Sequence, residues 1–266
     1  MTLKDVQNSH SSHKISIDHA GVTDLQYPIV VLDRQQEKQH TVAKISMSVD
    51  LPHHFKGTHM SRFVEALNKY RGEITLRTMP GILDDLKKRL EADRARVEVK
   101  FPYFLEKTAP QSGARGLMDY ACTFVGEVVG KVYDFVLGVE VPVASLCPCS
   151  KAISDYGAHN QRGHIKIEVR STRNKKGEPQ FIWIEELISI AEKSASCPVY
   201  PLLKRKDERH VTMQMFDNPM FVEDMVRAAA SYLKKDPRVA WFSVRAENQE
   251  SIHNHNAFAA IEWKRA

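Results

Sequence analysis

Apolar residues alternate with period two along most of this chain. Pairs of helix-period segments interrupt the alternation twice, and this doubled pattern limits the fold more than any other feature. Thr41–Leu51 (TVAKISMSVDL) sets Val42, Ile45, Met47, Val49 and Leu51 on or near one side, with an irregularity near Lys44 that reads as a bulge. Ser61–Tyr70 then carries Phe63, Leu67 and Tyr70 at helical spacing, with Ser61 as N-cap. Met79–Arg94 follows as a second amphipathic helix through Ile82, Leu83, Leu86 and Leu90, with Pro80 near its start. Ala95–Leu105 returns to period two, and Asp119–Val129 and Lys131–Val143 read as a hairpin joined near Gly130.

A second cycle begins at Gly163–Ser171, where Ile165, Ile167 and Val169 alternate. Trp183–Ala195 and Pro219–Leu233 are helical, and Val239–Glu247 and Ala257–Trp263 are strands. Strand, two helices and two strands therefore occur twice, about half a chain apart. Strands and helices in runs, without strict alternation, favour an α+β class with antiparallel sheets. Tyr27–Leu32 is one more strand candidate. Residues 1–25 read as a mobile arm, because His10, His13 and His19 are irregularly spaced among Ser and Asn.

Composition narrows the class. With 266 residues there is room for two domains of about 130. Apolar residues at 42% and charged residues at 27% exclude wholesale disorder. A diffuse net charge of +5 suits small anions as well as nucleic acid and does not choose between them. No run of about 18 apolar residues is present, so no membrane partner is expected. The polar N-terminus lacks a signal-peptide core, and four cysteines are too few for a disulfide scaffold, so the cytosol is the expected compartment.

Chemistry-bearing residues concentrate in Ser145–His164 (SLCPCSKAISDYGAHNQRGH), directly after a strong strand. Cys147 as thiolate and His159 as imidazole can meet on one divalent ion. The Cys147-Pro148-Cys149 spacing is too tight for a C-x-x-C knuckle. It suits a strained disulfide, one thiol on a metal with the other moving protons, or two buried thiols beside a turn. Carboxylates to complete a metal set occur in Lys206–Thr212 (KDERHVT), where Glu208 and His210 fall at a helix-to-strand transition. Glu247–Asn256 (ENQESIHNHN) adds Glu247, Glu250, His253 and His255. Each of these segments is also an ordinary polar loop taken alone; together they lie beside strand ends that one sheet can gather into a cleft.

Lys204, Arg205, Lys206 and Arg209 form a basic run, and Lys151 and Arg162 flank the cysteines, an arrangement that welcomes an anion such as a polyphosphate. A solvated basic face is the commoner meaning. There is no P-loop, no G-x-G-x-x-G and no G-x-S-x-G elbow. Glu223 stands among Phe221, Val222, Met225 and Val226, a setting in which a carboxylate can be withdrawn from water and must then find donors. A guanine offers two adjacent ones, N1–H and N2–H.

Five ordered motifs carry a resemblance: KGTHMSRF (Lys56–Phe63), LCPCSKAISDYGAHNQRGH (Leu146–His164), KDERHVT, FVEDMVR (Phe221–Arg227) and ESIHNHNAFA (Glu250–Ala259). Together, from about Val22 onward, they resemble the type IB GTP cyclohydrolases. The resemblance implies a bimodular tunnelling fold, with two antiparallel four-stranded sheets each bearing two helices on one face. It puts the N-terminal module at residues 26–143 and a C-terminal module with most of the active site at 144–266. It also implies a homotetramer with active sites at subunit boundaries, and hydrolysis of GTP to 7,8-dihydroneopterin triphosphate and formate, an entry to folate and other pterins.

Carried over by position, the resemblance makes Cys147, His159 and Glu208 metal ligands and Glu250 a further carboxylate at the metal. Glu223 becomes the purine anchor, with Cys149 and His253 proton-transfer groups near the reacting carbon. The cofactor is a divalent ion, Zn, Mn, Fe or Co. Two rivals stand beside this expectation. One is a deazaguanine nitrile reductase of the same fold, which needs a cysteine and NADPH rather than a metal. The other is a non-catalytic purine- or nucleic-acid-binding module, ranked last because charge is modest and no aromatic stacking motif is present. No nucleic-acid partner is expected.

Overall fold

The computed structural model describes residues 6–7, 9–70 and 73–265. The chain divides into two compact units. One holds the residues through Pro102 together with Thr123–Val136, and the other holds Tyr103–Cys122 and everything from Leu137 on.

In the first unit, β1 (Ile17–Asp33) pairs antiparallel with β2 (Glu37–Leu51). The turn between them is set by Asp33, whose Oδ1 accepts the N–H groups of Gln35 and Gln36 at 2.8 Å each. Strand β2 also pairs antiparallel with β3 (Arg94–Thr108), and the unit takes further stretches of β4 (Arg115–Val129) and β5 (Val132–Leu146), whose remaining residues belong to the other unit.

Ala43, Ile45, Met47, Val49 and Leu51 of β2 are buried in unbroken alternation, while Val42 is exposed. The bulge expected near Lys44 is therefore absent from β2; the register shift lies in β1, between Val22 and Leu25. Ala43 is the core residue that keeps the period, and its small side chain hid it. Strand β1 also begins well before Tyr27. Ile17 onward is strand, His19 contacts the Ser48 hydroxyl at 3.3 Å, and the Gln7 and Ser9 carbonyls accept the Lys56 N–H. The expected arm is thus shorter than 25 residues, because backbone pairing to β2 holds even its polar stretch; residues 1–5 and 8 lie outside the described set.

Helix α1 (Met60–Lys69) buries Phe63, Ala66 and Leu67, and α2 (Met79–Leu90) buries Met79, Ile82, Leu83, Leu86 and Leu90. The N-cap of α1 is His59 rather than Ser61. Each of the larger side chains among them (Phe, Leu, Ile, Met), fully buried, contributes about 1.5–3 kcal/mol. Helix α2 stops at Glu91, which turns left-handed at φ 54° and returns its N–H to the Lys87 carbonyl.

In the second unit, β5 pairs antiparallel with β6 (Asn160–Ser171), β6 with β8 (Val239–Gln249), and β8 with β9 (Asn256–Lys264). The two-residue β7 (Cys197–Pro198) joins β5 at Val143 and Ala144. Ile165, Ile167 and Val169 of β6 are buried on the side where α4 (Ile184–Lys193) packs on β6, while α6 (Val222–Lys235) packs on β8 and β9 and against α4. Two further helices complete the unit, the short α3 (Pro148–Ile153) and α5 (Arg205–Asp217).

Two strands, two helices and two strands thus occur twice: β1-β2-α1-α2-β3-β4, then β5-β6-α4-α6-β8-β9. The second copy carries α3, β7 and α5 as insertions, and α3 and α5 bear Cys149 and Glu208.

Candidate active site

The site grows from the end of the β5–β6 ladder. Ser145 pairs with Gln161 and Leu146 with Asn160. The next rung is Cys147 opposite His159, closed by the Cys147 N–H donating to the His159 carbonyl at 3.1 Å. Side chains opposed on an antiparallel ladder leave the same face with Cβ atoms about 4.5–5.5 Å apart. Pro148 then starts α3, where a missing N–H costs nothing, and Cys147 becomes the N-cap, its Sγ accepting the Ser150 N–H at 3.4 Å. The Ser150 hydroxyl in turn accepts the His159 N–H at 3.1 Å. Twelve residues apart in sequence, Cys147 and His159 are thus joined through their backbones, and both are half-buried.

The His159 ring is fixed from behind. Its Nδ1 lies 3.0 Å from Gln161 Oε1 and 3.5 Å from the Ser251 hydroxyl. Gln161 Nε2 donates to Ser145 Oγ at 2.9 Å, and Asn248 Nδ2 donates to the same oxygen at 2.9 Å. Ser145, Gln161 and Asn248 are all buried. Asn248 faces Gly163 across β6 and β8; a Cβ on Gly163 would sit 2.2 Å from Asn248 Oδ1. Only glycine leaves that amide its room.

A soft thiolate beside an imidazole nitrogen suits the first two ligands of a divalent ion. The carboxylates are not gathered with them: among the described residues no three His, Cys, Asp or Glu stand close enough to hold an ion. Glu208 does not sit at a helix-to-strand transition. It is an exposed residue in the first turn of α5, which runs unbroken through His210 to Asp217. Its neighbour Asp207 explains why. That buried carboxylate takes the Lys204 N–H at 2.8 Å as a capping contact, and the Gln111 and Ser112 N–H groups at 2.7 Å each. Burial alone would raise the Asp207 carboxyl, but the Ser112 side chain and these three N–H donors hold it well below the usual range. The bonds anchor α5 to the loop between β3 and β4.

Glu250 is half-buried just past β8, and His253 and His255 stack in the exposed loop beyond it, with ring centroids 5.0 Å apart. Ser251 brings this loop to His159. Glu223 is exposed in the first turn of α6. The chain just before that helix is tied to the site, because the Met220 N–H donates to the Leu146 carbonyl at 3.1 Å, one residue from Cys147.

Cys149 is an exposed free thiol on α3. Lys151 is already engaged, donating to the Phe216 carbonyl and lying 4.2 Å over the Phe216 ring, so it clasps α3 to α5. Arg162 is exposed and, by strand alternation, leaves the face of β6 opposite to His159 and Gln161. Sequence reasoning missed Ser145, Gln161, Asn248 and Asp207. A signal for one was available: Gln161 falls in phase with the inward Ile165, Ile167 and Val169.

The profile of the family described as type I GTP cyclohydrolase folE2 matches residues 3–259. The chain belongs to that family. A GTP cyclohydrolase FolE2 from Syntrophotalea carbinolica is 56% identical over 261 residues, covering 98% of this chain and 95% of the relative. The GTP cyclohydrolase FolE2 of Geobacter metallireducens is 55% identical over 261 residues, covering 98% and 97%. Of the readings open from sequence, this match supports the cyclohydrolase.

Among solved structures, a highly active mutant of a Bacillus sp. TB-90 urate oxidase superposes with a TM-score of 0.57 at 9% identity, covering 94% of this chain and all of that one. Uricase from Arthrobacter globiformis gives 0.54 at 9% identity, covering 93% of each chain. At that identity the likeness concerns the fold alone, which is of the α+β class expected from the doubled pattern and is the tunnelling fold that the resemblance implies. No helix among the described residues is long and apolar enough to cross a membrane.

Proposed function

We propose that this FolE2-family chain hydrolyses GTP to 7,8-dihydroneopterin triphosphate and formate, as a type IB GTP cyclohydrolase. The observation that carries the reading is the rung Cys147–His159, which seats a thiol and an imidazole together at the end of a buried ladder. Those two residues hold a divalent ion, Zn, Mn, Fe or Co, with Glu208 and Glu250 completing its ligands. Such an ion supplies Lewis acidity and a nucleophilic water at neutral pH.

The chain's own groups do the rest. The Glu223 carboxylate accepts the guanine N1–H and N2–H together, which turns a diffusional encounter into an oriented one and aims C8 at the Cys147–His159 rung. Cys149 and His253 move protons to and from the ring nitrogens as the imidazole ring opens and formate leaves. Lys151 holds α3, and thus Cys149, against α5 through Phe216. Arg162 contributes positive charge at the sheet end for the triphosphate.

The ligand set is completed at a subunit boundary, in a homotetramer; among the described residues no three such ligands cluster within one chain. Sheet β9 agrees: all its residues keep some exposure, so this outermost strand has a face and an edge to offer a neighbour. Four free thiols suit a cytosolic enzyme.

The test is to incubate metal-depleted protein with GTP and each divalent ion, then look for pterin fluorescence after oxidation. Fluorescence that depends on an added ion, and is lost in Cys147→Ala, is the expected result. No pterin with any ion would overturn the assignment.

A further inference from the structure

We propose that Gln161 is a positioning residue: buttressed by Ser145 and Asn248, it sets the ring tautomer of His159, keeping hydrogen on Nδ1 and the lone pair on Nε2. The proposal rests on the metal reading only for the use made of Nε2; the tautomer itself follows from the hydrogen bonds.

An imidazole with one hydrogen presents a donor on one nitrogen and an acceptor on the other, and the partner of one nitrogen decides both. At His159 Nδ1 the near partner is the Gln161 side-chain amide at 3.0 Å. An amide can meet that nitrogen with oxygen or with NH2, and here it is the oxygen, Oε1, that faces it. The far end of the amide lies 2.9 Å from Ser145 Oγ. The same hydroxyl oxygen receives the Asn248 NH2 at 2.9 Å, from the other side. In the structure both amides turn their NH2 groups to this oxygen, which leaves the Gln161 carbonyl oxygen facing the ring.

All three side chains are buried, with Ser145 fully enclosed, so water does not take over these contacts. Among the described residues the other group at Nδ1 is the Ser251 hydroxyl at 3.5 Å, on an exposed loop, and a hydroxyl can donate or accept and imposes neither tautomer. Gly163 belongs to the same device, because any side chain there would displace Asn248. A hydrogen-bonded outer partner of this kind is typically worth about 10–100-fold in metal affinity.

The experiment uses full-length, metal-depleted protein labelled with 15N-histidine. Long-range 1H–15N correlations report the His159 tautomer, with His159→Asn providing the assignment, and a Co2+ titration reports affinity through the thiolate charge-transfer band. Wild type should show hydrogen on Nδ1. Gln161→Leu should shift His159 to the other tautomer or a mixture and weaken Co2+ by about 10–100-fold. Gln161→Glu, which restores an acceptor, should return the Nδ1 hydrogen and bring affinity back to within about threefold of wild type.

Ser145→Ala, which leaves Gln161 in place but frees its far end, should give a mixture, and it serves if the leucine variant does not fold. Hydrogen on Nε2 in wild type, or an unchanged tautomer in Gln161→Leu, would overturn the proposal. Wild type that ignores Co2+ while the tautomer still follows Gln161 supports this assignment and defeats the metal reading instead.

Discussion

Cys147 and His159 occupy one rung of an antiparallel ladder, joined by a 3.1 Å bond from the cysteine N–H to the histidine carbonyl, although eleven residues loop out between them. Their spacing is thus set where β5 and β6 end, two strands with buried alternating residues, and not by the exposed helix α3 that carries Cys149. Sites built on strands keep their geometry when neighbouring loops move.

Cys149 and His253 are exposed and belong to α3 and to the loop after β8. Cys149→Ala and His253→Ala should each lower kcat by about 10²–10⁴-fold if both transfer protons. Stability should change by less than about 0.5 kcal/mol, as for other surface substitutions. Steady-state formate release and thermal melts of the same preparations check the pair.

Gly163→Ala should be costly. The added methyl would lie 2.2 Å from Asn248 Oδ1 and 2.8 Å from the Glu247 carbonyl. We expect a loss of about 1–3 kcal/mol by chemical denaturation. Combining it with Asn248→Ala should cost less than the sum of the two, because the worst clash is then gone.

Thiol chemistry should separate the four cysteines. Burial pushes the Cys197 thiol up to about 11, and burial raises Cys122 further still. At pH 8 iodoacetamide should therefore label Cys149 first and leave Cys122 and Cys197 unmodified until the protein unfolds. Peptide mass mapping over time reads the order.

Asp236 supplies a pH signature. The Arg238 guanidinium bonds to it at 2.7 Å and holds its carboxyl below the usual 3.8. A depressed folded value means the stabilisation is fully present above 3.8 and is lost as pH falls through the lower folded value. Asp236→Asn should thus flatten the acid limb of the stability–pH curve. Arg238→Ala, which also strips a 3.1 Å bond from Glu186, should cost about 1.5–3 kcal/mol at neutral pH.

The doubled strand–helix pattern was legible because each core stripe repeats with a single period: Ile165, Ile167 and Val169 announce β6, and Met225, Val226, Ala229 and Leu233 announce α6. Helix α5 was not. Its only buried residue is Asp207, so no apolar stripe marks it, and a capping carboxylate with three backbone donors does the work of a core. The early start of β1 escaped for a related reason, since its first residues are held by backbone pairing and bury nothing.

At the site, Cys147 and His159 were recognisable as ligand types, but only the structure shows their backbones bonded just past the β5–β6 ladder. The Ser145–Gln161–Asn248 network stayed hidden, because polar residues in phase with a core stripe look like interruptions until their partners are known.

The central claim is that Cys147 and His159 bind one ion. X-ray absorption on zinc-loaded protein tests it most directly. The account predicts one sulfur at about 2.3 Å with nitrogen and oxygen neighbours at about 2.0–2.2 Å, the sulfur vanishing in Cys147→Ala together with pterin formation. A first shell without sulfur in active wild-type protein would contradict it.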